Sequence, residues 1–496
     1  MQLDQQVCDR ARRSRDARFD GRFFIGVTTT GIYCRPICPA RTAKDEHVRY
    51  FPSAAAAEAA GFRPCLRCRP EASPGTPAWL GTSSLVSRAL RLIADGALDD
   101  AGVESLADRL GITGRHLRRL FLQHLGATPL DVAMTRRVHF AKKLLDETAL
   151  PISQVAFASG FGSLRRFNSQ MRRTYSRTPS ELRRRARQQP DEPGRYSFRL
   201  AFRPPYDWPA MLGFLAARAT PGVETVGPGY YRRTITVDRK HGVVEITPVE
   251  SRAALSLEVR FPDPQALLSI VERVRRMFDL GADPSVIREH LVDDPLLRNP
   301  LSLHPGMRTP GAWDGFELAV RAILGQQVSV RAATTIAGRI AGTFGQPIVD
   351  DRGLNRLFPT AATLATADLE QVGVMPARAR TIRALARRVT EGSLSFEAGS
   401  EAQSVAAALI EIPGIGDWTA QYIAMRAYGE PDAFPSSDLV LRRAAGGCTA
   451  KELERRSLAW RPWRSYAVML LWQSAISDRW PLASGQVIGK LAGEHK

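Results

Sequence analysis

TGIYCRPIC (residues 30–38) and RPCLRC (residues 63–68) carry four of the six cysteines of the 496-residue chain: Cys34, Cys38, Cys65 and Cys68. Three residues separate the first pair and two separate the second, and such spacings let both thiols of a short turn reach one metal ion. Four thiolates favour tetrahedral zinc. The cysteines therefore predict a zinc module around which the amino-terminal fold is organised, and the spacing alone leaves open whether this zinc is only structural.

The composition of the chain favours a polyanionic partner. Its formal net charge is +19 and its isoelectric point about 10.3, a balance that suits nucleic acid or an anionic surface. The first residues do not resemble a signal peptide, and no apolar run reaches the length of a membrane span. We therefore expect a cytoplasmic protein without a membrane partner. In the cytoplasm, reducing conditions favour metal-bound cysteines over disulfides. No role is predicted for Cys8 and Cys448.

Changes in composition predict four domains. Turn-forming residues near 73–77 and 188–194 are typical of linkers, and they separate the cysteine range 1–76 and the range 82–187 from the rest. Residues 195–283 alternate in the manner of strands, and residues 284–496 have helical periodicity. The predicted fold class is multidomain and mostly α: a small zinc-bound α+β domain, a helical double helix-turn-helix domain, an α+β sheet domain that acts as a support, and an all-α helix-hairpin-helix domain.

The range 82–187 contains two copies of one pattern: a helix, a glycine turn, a Thr or Ser cap and a basic helix. The first copy turns at Gly111 before Thr113, and the second turns at Gly160 before Ser163. Each copy is a helix-turn-helix candidate. The range holds 19 Lys and Arg against 9 Asp and Glu, so positive charge is concentrated where recognition helices are expected. The predicted DNA-binding residues on these helices are Arg115, Arg118, Arg119, Arg165, Arg166 and Asn168.

Basic residues also surround the cysteines. They are Arg35, Arg41, Lys44, Arg49, Arg63, Arg67 and Arg69. Such side chains can offset the negative charge of zinc bound by four thiolates, and they can hold a phosphate backbone. The sequence leaves both roles open.

The helical range carries the signatures Phe161-Gly162-Ser163 and Arg177-Thr178-Pro179, and it resembles the paired helix-turn-helix unit of AraC-type transcription activators. Placed behind residues 29–36 and 60–65, it makes residues 1–187 similar to the Ada-type activators that sense methylphosphotriesters. This resemblance implies that zinc-bound Cys34 accepts a methyl group from DNA, while Cys38, Cys65 and Cys68 only hold zinc. It also implies promoter DNA and RNA polymerase as partners, and we expect a monomer.

A second motif lies in residues 409–420, where Pro413-Gly414-Ile415-Gly416 forms a turn between helical segments. Gly414 and Gly416 let backbone N–H groups approach a phosphate, which is typical of a helix-hairpin-helix that binds DNA without reading bases. Twenty residues after Trp418 stands Asp438, at the start of an apolar and then basic segment. By itself, an aspartate in this position predicts a helix cap.

The hairpin and Asp438, together with residues 316–329 and 460–467, resemble the AlkA-type DNA glycosylases over about residues 195–485. The resemblance implies that Asp438 is the catalytic carboxylate and that Trp418, Tyr422 and Trp472 are walls of the base pocket. It also implies that Gln327 is the wedge that fills the gap left by a flipped base, although AlkA-type enzymes have an apolar wedge there. Electron-rich rings suit a cationic alkylated purine, and a carboxylate suits positive charge growing on the sugar.

Three absences in the sequence narrow the predicted chemistry. Trp418 stands where bifunctional glycosylases have a lysine, Cys448 is the only cysteine after Cys68, and Pro-Cys-His-Arg does not occur. We therefore expect no lyase activity, no iron–sulfur cluster and no guanine-O6 methyltransferase activity.

The sequence thus predicts a regulator fused to a monofunctional 3-methyladenine-type glycosylase, with zinc as its cofactor and double-stranded DNA as its partner. Two alternatives stay open. One is a transcription activator whose carboxy-terminal half only binds DNA, and the other is a zinc-stabilised repair enzyme without a regulatory role.

Overall fold

The computed structural model describes residues 4–75, 84–99, 101–183, 192–350, 352–396 and 402–477. The chain forms two compact units. The first comprises Met1–Pro204, Ile235–Asp283 and Glu397–Glu401, and the second comprises Pro205–Thr234, Pro284–Phe396 and Ala402–Lys496.

The cysteine range folds around a small mixed sheet. Its strands are β1 (Phe24–Val27), β2 (Ile32–Cys34), β3 (Val48–Phe51) and β4 (Arg63–Pro64), in the order β3-β1-β2-β4. The pairs of β1 with β2 and with β3 are antiparallel, and β2 pairs with β4 in parallel. Helices α1 (Gln5–Ser14) and α2 (Ala54–Ala59) complete the module. Tyr33, Phe51 and Phe62 pack into its core together with Ala127 from the range that follows.

Among the described residues from 84 to 183, seven helices follow the cysteine module. They are α3 (Ser84–Ala94), α4 (Val103–Arg109), α5 (Gly114–Leu125), α6 (Pro129–Glu147), α7 (Ile152–Ala158), α8 (Leu164–Tyr175) and α9 (Pro179–Leu182). Gly111 and Gly160 adopt the left-handed φ values of 71° and 80° that a tight turn requires. Thr113 and Ser163 then cap α5 and α8 by accepting the His116 and Arg166 backbone N–H groups. The predicted pair of helix-turn-helix units is confirmed.

The strand-rich range contains, in chain order, β5 (Arg195–Ala201), α10 (Trp208–Ala216), β6 (Glu224–Gly227), β7 (Tyr230–Val237), β8 (Lys240–Pro248), β9 (Ala254–Arg260) and α11 (Leu267–Met277). In the first unit β9 pairs antiparallel with both β5 and β8, so that Leu257 lies opposite Phe198 and Ile246. In the second unit β6 pairs antiparallel with β7. Burial alternates along β5, as the period of two predicts.

Helix α6 lies against the outer edge of β5. The Lys143 Nζ donates to the Arg199 carbonyl over 2.5 Å, and the Arg199 N–H donates to Glu147 Oε2 over 3.3 Å. The Phe140 and Phe198 rings pack with centroids 6.2 Å apart. Two side chains of α6 therefore satisfy both backbone groups that Arg199 presents at this strand edge.

The second unit continues with helices. They are α12 (Pro284–Leu291), α13 (Pro295–Leu303), α14 (Gly315–Leu324), α15 (Val330–Phe344), α16 (Ala361–Leu364), α17 (Pro376–Thr390), α18 (Ala402–Ile410), α19 (Asp417–Ala427), α20 (Leu439–Ala444), α21 (Ala450–Ser457) and α22 (Arg464–Ser477). Helices α18 and α19 form the predicted hairpin. In the part of the chain that the structure describes, no helix combines the length and the apolar composition of a membrane span.

Candidate functional site

The sheet of the cysteine module brings the four predicted zinc ligands together. Cys34 ends β2, and the parallel pairing with β4 places Cys65 beside it, where its N–H donates to the Tyr33 carbonyl over 3.0 Å. The four Sγ atoms all lie within 4.8 Å of one another. Tetrahedral zinc with bonds of about 2.3 Å needs sulfurs about 3.8 Å apart, so this cluster fits a zinc ion.

The four thiols differ in exposure and in pKa. Cys65 and Cys68 are buried, whereas Cys34 and Cys38 are only half-buried. Contacts with the sulfurs of Cys38 and Cys65 raise the pKa of Cys34, and the contact with Cys34 lowers the pKa of Cys38 to about 7. Sulfurs this close cannot all carry a charge by themselves, and a bound cation is what stabilises them as thiolates.

Two of the basic residues near the cysteines point inward and brace the module. Arg35 donates from Nε to Asp20 Oδ1 over 2.8 Å and from Nη1 to the Cys68 carbonyl over 3.0 Å. Arg69 Nη2 lies 2.6 Å from Asp146 Oδ2 on α6. The remaining basic residues of the group are exposed: Arg41, Lys44, Arg49, Arg63 and Arg67. A phosphate-binding role is therefore open to these five and not to Arg35 or Arg69.

The predicted recognition helices are α5 and α8. On them Arg115, Arg118, Arg119, Arg165 and Arg166 are exposed and Asn168 is half-buried. Arg118 Nη2 pairs with Glu104 Oε1 at 2.7 Å, and this pair must open before Arg118 can reach a phosphate or a base.

The hairpin turn between α18 and α19 lies at the surface. Gly414 has φ of 94°, and Gly416 is the N-cap of α19. The Thr381 Oγ1 on α17 donates to the Pro413 carbonyl over 2.8 Å, so the turn is held from behind. Its exposed backbone is the part that can face a phosphate.

Asp438 lies where three helices of the second unit converge. It caps α20, because Oδ1 accepts the N–H groups of Val440 and Leu441 over 2.9 Å each. Its carboxylate also accepts the Trp418 Nε1–H over 2.8 Å at Oδ2 and the Trp472 Nε1–H over 3.2 Å at Oδ1. The structure therefore brings together the predicted carboxylate and two of the predicted pocket walls.

Tyr422 lies between the two tryptophans. Its ring stacks on Trp418 with centroids 5.4 Å apart and planes 8° apart, and it meets Trp472 at 6.1 Å and 48°. The Arg426 Nη1 donates to the Tyr422 hydroxyl over 2.6 Å. Burial alone would raise the pKa of Tyr422, but the positive charges of Arg426 and Arg218 outweigh it and the pKa is lowered. Arg426 belongs to none of the motifs recognised in the sequence, although its place four residues after Tyr422 on one helix puts both on the same face.

Gln327 lies in the short segment between α14 and α15, and it is exposed with φ of 53°. The preceding Gln326 donates from Nε2 to the Gly414 carbonyl over 2.9 Å and to Thr419 Oγ1 over 3.0 Å. Arg378 Nη2 in turn donates to the Gln326 carbonyl. Gln327, the predicted wedge, is therefore exposed beside the hairpin, and the segment that carries it is hydrogen-bonded to the hairpin.

Four family models match the chain in succession. They are the metal binding domain of Ada over residues 7–71, a helix-turn-helix domain over 106–185, the AlkA N-terminal domain over 197–314, and the HhH-GPD superfamily of base excision DNA repair proteins over 320–459.

A Mycobacterium tuberculosis protein described as a bifunctional transcriptional activator/DNA repair enzyme AlkA is 45% identical over 97% of this chain and 99% of its own length. The chain belongs to this AlkA-type bifunctional family. Within the carboxy-terminal part, the DNA-3-methyladenine glycosylase 2 of Escherichia coli is 36% identical over 55% of this chain and 96% of its own length. The structure of a 3-methyladenine DNA glycosylase from Archaeoglobus fulgidus has the same fold, with a TM-score of 0.50 and 23% identity over 58% of this chain and 99% of that one.

Membership in the AlkA-type bifunctional family confirms the predicted resemblance, the multidomain fold class and zinc as the cofactor. The zinc cluster and the paired helix-turn-helix units lie in the range that matches the Ada and helix-turn-helix models. The hairpin, Asp438 and two of the predicted pocket residues, Trp418 and Tyr422, lie in the range that matches the base excision repair model. This chain is therefore a DNA-binding regulator joined to a DNA glycosylase.

Proposed function

We propose that the chain accepts a methyl group from DNA methylphosphotriesters on Cys34, activates transcription of alkylation-response genes once methylated, and excises N-alkylated bases such as 3-methyladenine. The observation that supports the excision role is the arrangement of Asp438, which accepts the indole N–H groups of Trp418 and Trp472, with the Tyr422 ring between the two tryptophans. The domains that divide these tasks are proposed to be residues 1–76, 82–187, 195–283 and 284–496.

Cys34 is the sulfur that best fits methyl transfer. Exposure leaves Cys34 and Cys38 as candidates, because both are half-buried whereas Cys65 and Cys68 are buried. Of these two, Cys34 is the one that the resemblance to Ada-type activators implies as the acceptor. The four sulfurs would hold zinc, and bound zinc would keep Cys34 in its nucleophilic thiolate form at neutral pH. The thiolate attacks the methyl carbon, an S–C bond forms, and the C–O bond breaks with its electron pair on the phosphate oxygen. The products are a thioether and an ordinary phosphodiester, so the step needs no co-reactant.

Methylation changes the charge that the module presents to DNA. One thiolate becomes a neutral thioether, and the repulsion between the zinc site and phosphates falls. The exposed side chains of Arg41, Arg63 and Arg67 would hold the flanking backbone, while α5 and α8 bind promoter DNA. We propose that the chain acts as a monomer and that RNA polymerase is its partner in activation.

Peptide mass mapping tests the acceptor directly. The full chain is incubated with duplex DNA that carries methylphosphotriesters, digested, and searched for peptides heavier by one methyl group. We expect the added methyl on Cys34 and on none of the other three zinc ligands. A methyl group on Cys38, or on no cysteine, contradicts the proposal.

For base excision, each pocket residue has a role that its position permits. Trp418, Tyr422 and Trp472 stack on the flipped base, whose positive charge favours electron-rich rings. Asp438 stabilises the positive charge that grows on the sugar as the N-glycosidic bond breaks, or it orients the attacking water. Gln327 fills the vacancy in the duplex, and the backbone at Gly414 and Gly416 binds the phosphate backbone.

Release of 3-methyladenine from methylated duplex DNA tests the enzyme. We expect release by the wild type and a loss of at least about a hundredfold in Asp438→Asn. Asp294→Asn is a matched control, because Asp294 also caps a helix, α13, and accepts an indole N–H, from Trp460 over 2.8 Å. It should retain full activity. If the wild type releases no base, the carboxy-terminal half only binds DNA and the excision proposal fails.

A further inference from the structure

Both cysteine pairs of the zinc site are anchored on helix α6 of the helix-turn-helix range. Tyr33 directly precedes Cys34, and its hydroxyl oxygen lies 2.9 Å from His139 Nε2. Arg69 directly follows Cys68, and its Nη2 lies 2.6 Å from Asp146 Oδ2. His139 and Asp146 are two helical turns apart, so they share one face and are separated by about 10 Å along the axis.

The first anchor is a closed network of hydrogen bonds. The fully buried Tyr33 donates its hydroxyl proton to Glu58 Oε1 over 2.7 Å, and Thr135 Oγ1 donates to Glu58 Oε2 over 2.8 Å. Because the single hydroxyl proton of Tyr33 is used in this way, His139 Nε2 acts as the donor. Its N–H is shared between the Tyr33 oxygen and Glu58 Oε1, which lies 3.1 Å away. Glu58 belongs to α2 of the cysteine module, whereas Thr135 and His139 belong to α6, so the network crosses from one domain to the other.

The second anchor is a group of buried charges. Arg69 Nε lies 3.2 Å from Glu71 Oε1, and Lys142 Nζ lies 2.5 Å from Asp146 Oδ2 and 3.7 Å from Glu71 Oε1. The side chains of Glu71, Lys142 and Asp146 are at most 3% exposed. Removing one member leaves a buried charge without its partner, which is strongly unfavourable. The second cysteine pair therefore cannot shift freely relative to α6.

We propose that the face of α6 formed by Thr135, His139, Lys142 and Asp146 is a supporting part of the zinc site, so that zinc retention and the order of α6 depend on each other. These four are positioning residues, since they act on the cysteines through Tyr33 and Arg69. The inference rests on the zinc centre and not on methyl transfer, so it can fail while the proposed function stands.

The coupling has a direct route to DNA. Helix α6 joins α5 of the first helix-turn-helix unit to α7 of the second, and so it spaces the two recognition helices. Coupling between two sites is reciprocal. A change at the cysteines that loosens α6 therefore alters DNA binding, and a change in α6 alters how tightly zinc is held.

The rate of zinc loss from the full chain to an excess of a coloured chelator tests the first direction. We expect His139→Ala and Asp146→Asn each to release zinc at least about fivefold faster than the wild type. His139→Gln keeps an N–H donor near the Tyr33 oxygen and should restore most of the wild-type rate. His116→Ala removes a histidine from α5 of the same range and should leave the rate unchanged. Equal rates for His139→Ala and His116→Ala overturn the proposal.

Hydrogen exchange tests the opposite direction and separates coupling from general instability. We expect removal of zinc from the wild-type chain to speed amide exchange in peptides covering residues 133–147 at least about fivefold, with no change in peptides covering α17. Unchanged exchange in α6 overturns the proposal. An increase of equal size in α6 and α17 also overturns it, because it shows a loss of stability in the whole chain.

Discussion

Asp438 caps a helix and is also the carboxylate that we propose to act in base excision. Its Oδ1 accepts two backbone N–H groups at the start of α20 as well as the Trp472 indole, whereas Oδ2 accepts only the Trp418 indole among the described residues. The capping bonds fix the rotation of the carboxylate. Oδ2 therefore keeps a lone pair for the sugar or for water. The same aspartate can serve both as a helix cap and as the proposed catalytic carboxylate.

Trp418 should contribute through its N–H as well as through its ring. Trp418→Phe keeps an aromatic surface but removes the donor to Asp438, so we expect single-turnover release of 3-methyladenine to slow by at least about tenfold, since a hydrogen bond to a charged acceptor contributes about 1.5–3 kcal/mol. Trp460→Phe removes the equivalent donor to Asp294 away from the pocket. It should lower the melting temperature and leave the rate of release unchanged. If the two variants release base equally fast, Trp418 acts only by stacking.

Gln327 occupies a left-handed conformation that a residue other than glycine adopts at a cost of about 1–2 kcal/mol. We expect Gln327→Gly to raise the free energy of unfolding relative to Gln327→Ala, because glycine accepts a φ of 53° without strain. Both variants should slow base excision, since neither has a side chain that fills the gap in the duplex. Urea denaturation gives the stabilities, and full excision activity in both variants would exclude Gln327 as the wedge.

At the scale of the element, the hairpin shows why its two glycines are not equivalent. A Cβ on Gly414 would lie 2.2 Å from Thr381 Oγ1, and its φ is 94°. A Cβ on Gly416 would meet nothing within 4 Å. The first glycine is required by the fold of the turn, and the second has open space in front of it.

Gly414→Ala should therefore destabilise the second unit, by about 2 kcal/mol or more, because backbone strain and a steric clash add. Gly416→Ala should change the free energy of unfolding by less than about 0.5 kcal/mol, yet it should weaken binding to undamaged duplex DNA if a phosphate occupies that space. Denaturation and DNA titration of both variants check this. Equal destabilisation by the two changes would contradict the difference in their surroundings.

Local signals were enough to predict the elements that carry function. Gly111 with Thr113 and Gly160 with Ser163 marked the two helix-turn-helix turns because each signal acts on its own backbone. The spacing of the cysteines marked the zinc site for the same reason. Arg426 was not predicted, because its effect on the pKa of Tyr422 depends on the burial of both side chains, which a short motif does not reveal.

At the scale of the whole molecule, the sequence predicted the domains and motifs better than it predicted the contacts between distant segments. The sequence left open whether Arg35 and Arg69 offset thiolate charge or hold phosphate. In the structure they are turned inward by Asp20 and by Asp146, a partner 77 positions away from Arg69. The indole donors to Asp438 come from 20 positions before it and 34 after it. Such pairs form only when distant segments pack together, and no local pattern encodes them.

The contact between α6 and β5 bears on how the two halves can be separated. In the part of the chain that the structure describes, β5 has only β9 as a strand partner. On its other edge, Lys143 and Glu147 bond the backbone C=O and N–H of Arg199. A chain that starts at residue 192 loses both side chains and presents an uncovered β-edge, a template for intermolecular strand pairing.

We expect this shortened glycosylase to aggregate on concentration, as measured by light scattering, while the full chain does not. Arg199→Pro in the shortened chain, which removes the exposed N–H, should reduce the scattering. A shortened chain that stays monodisperse would show that the edge needs no cover. If the shortened chain does aggregate, then the regulatory half also prevents self-association of the enzyme half.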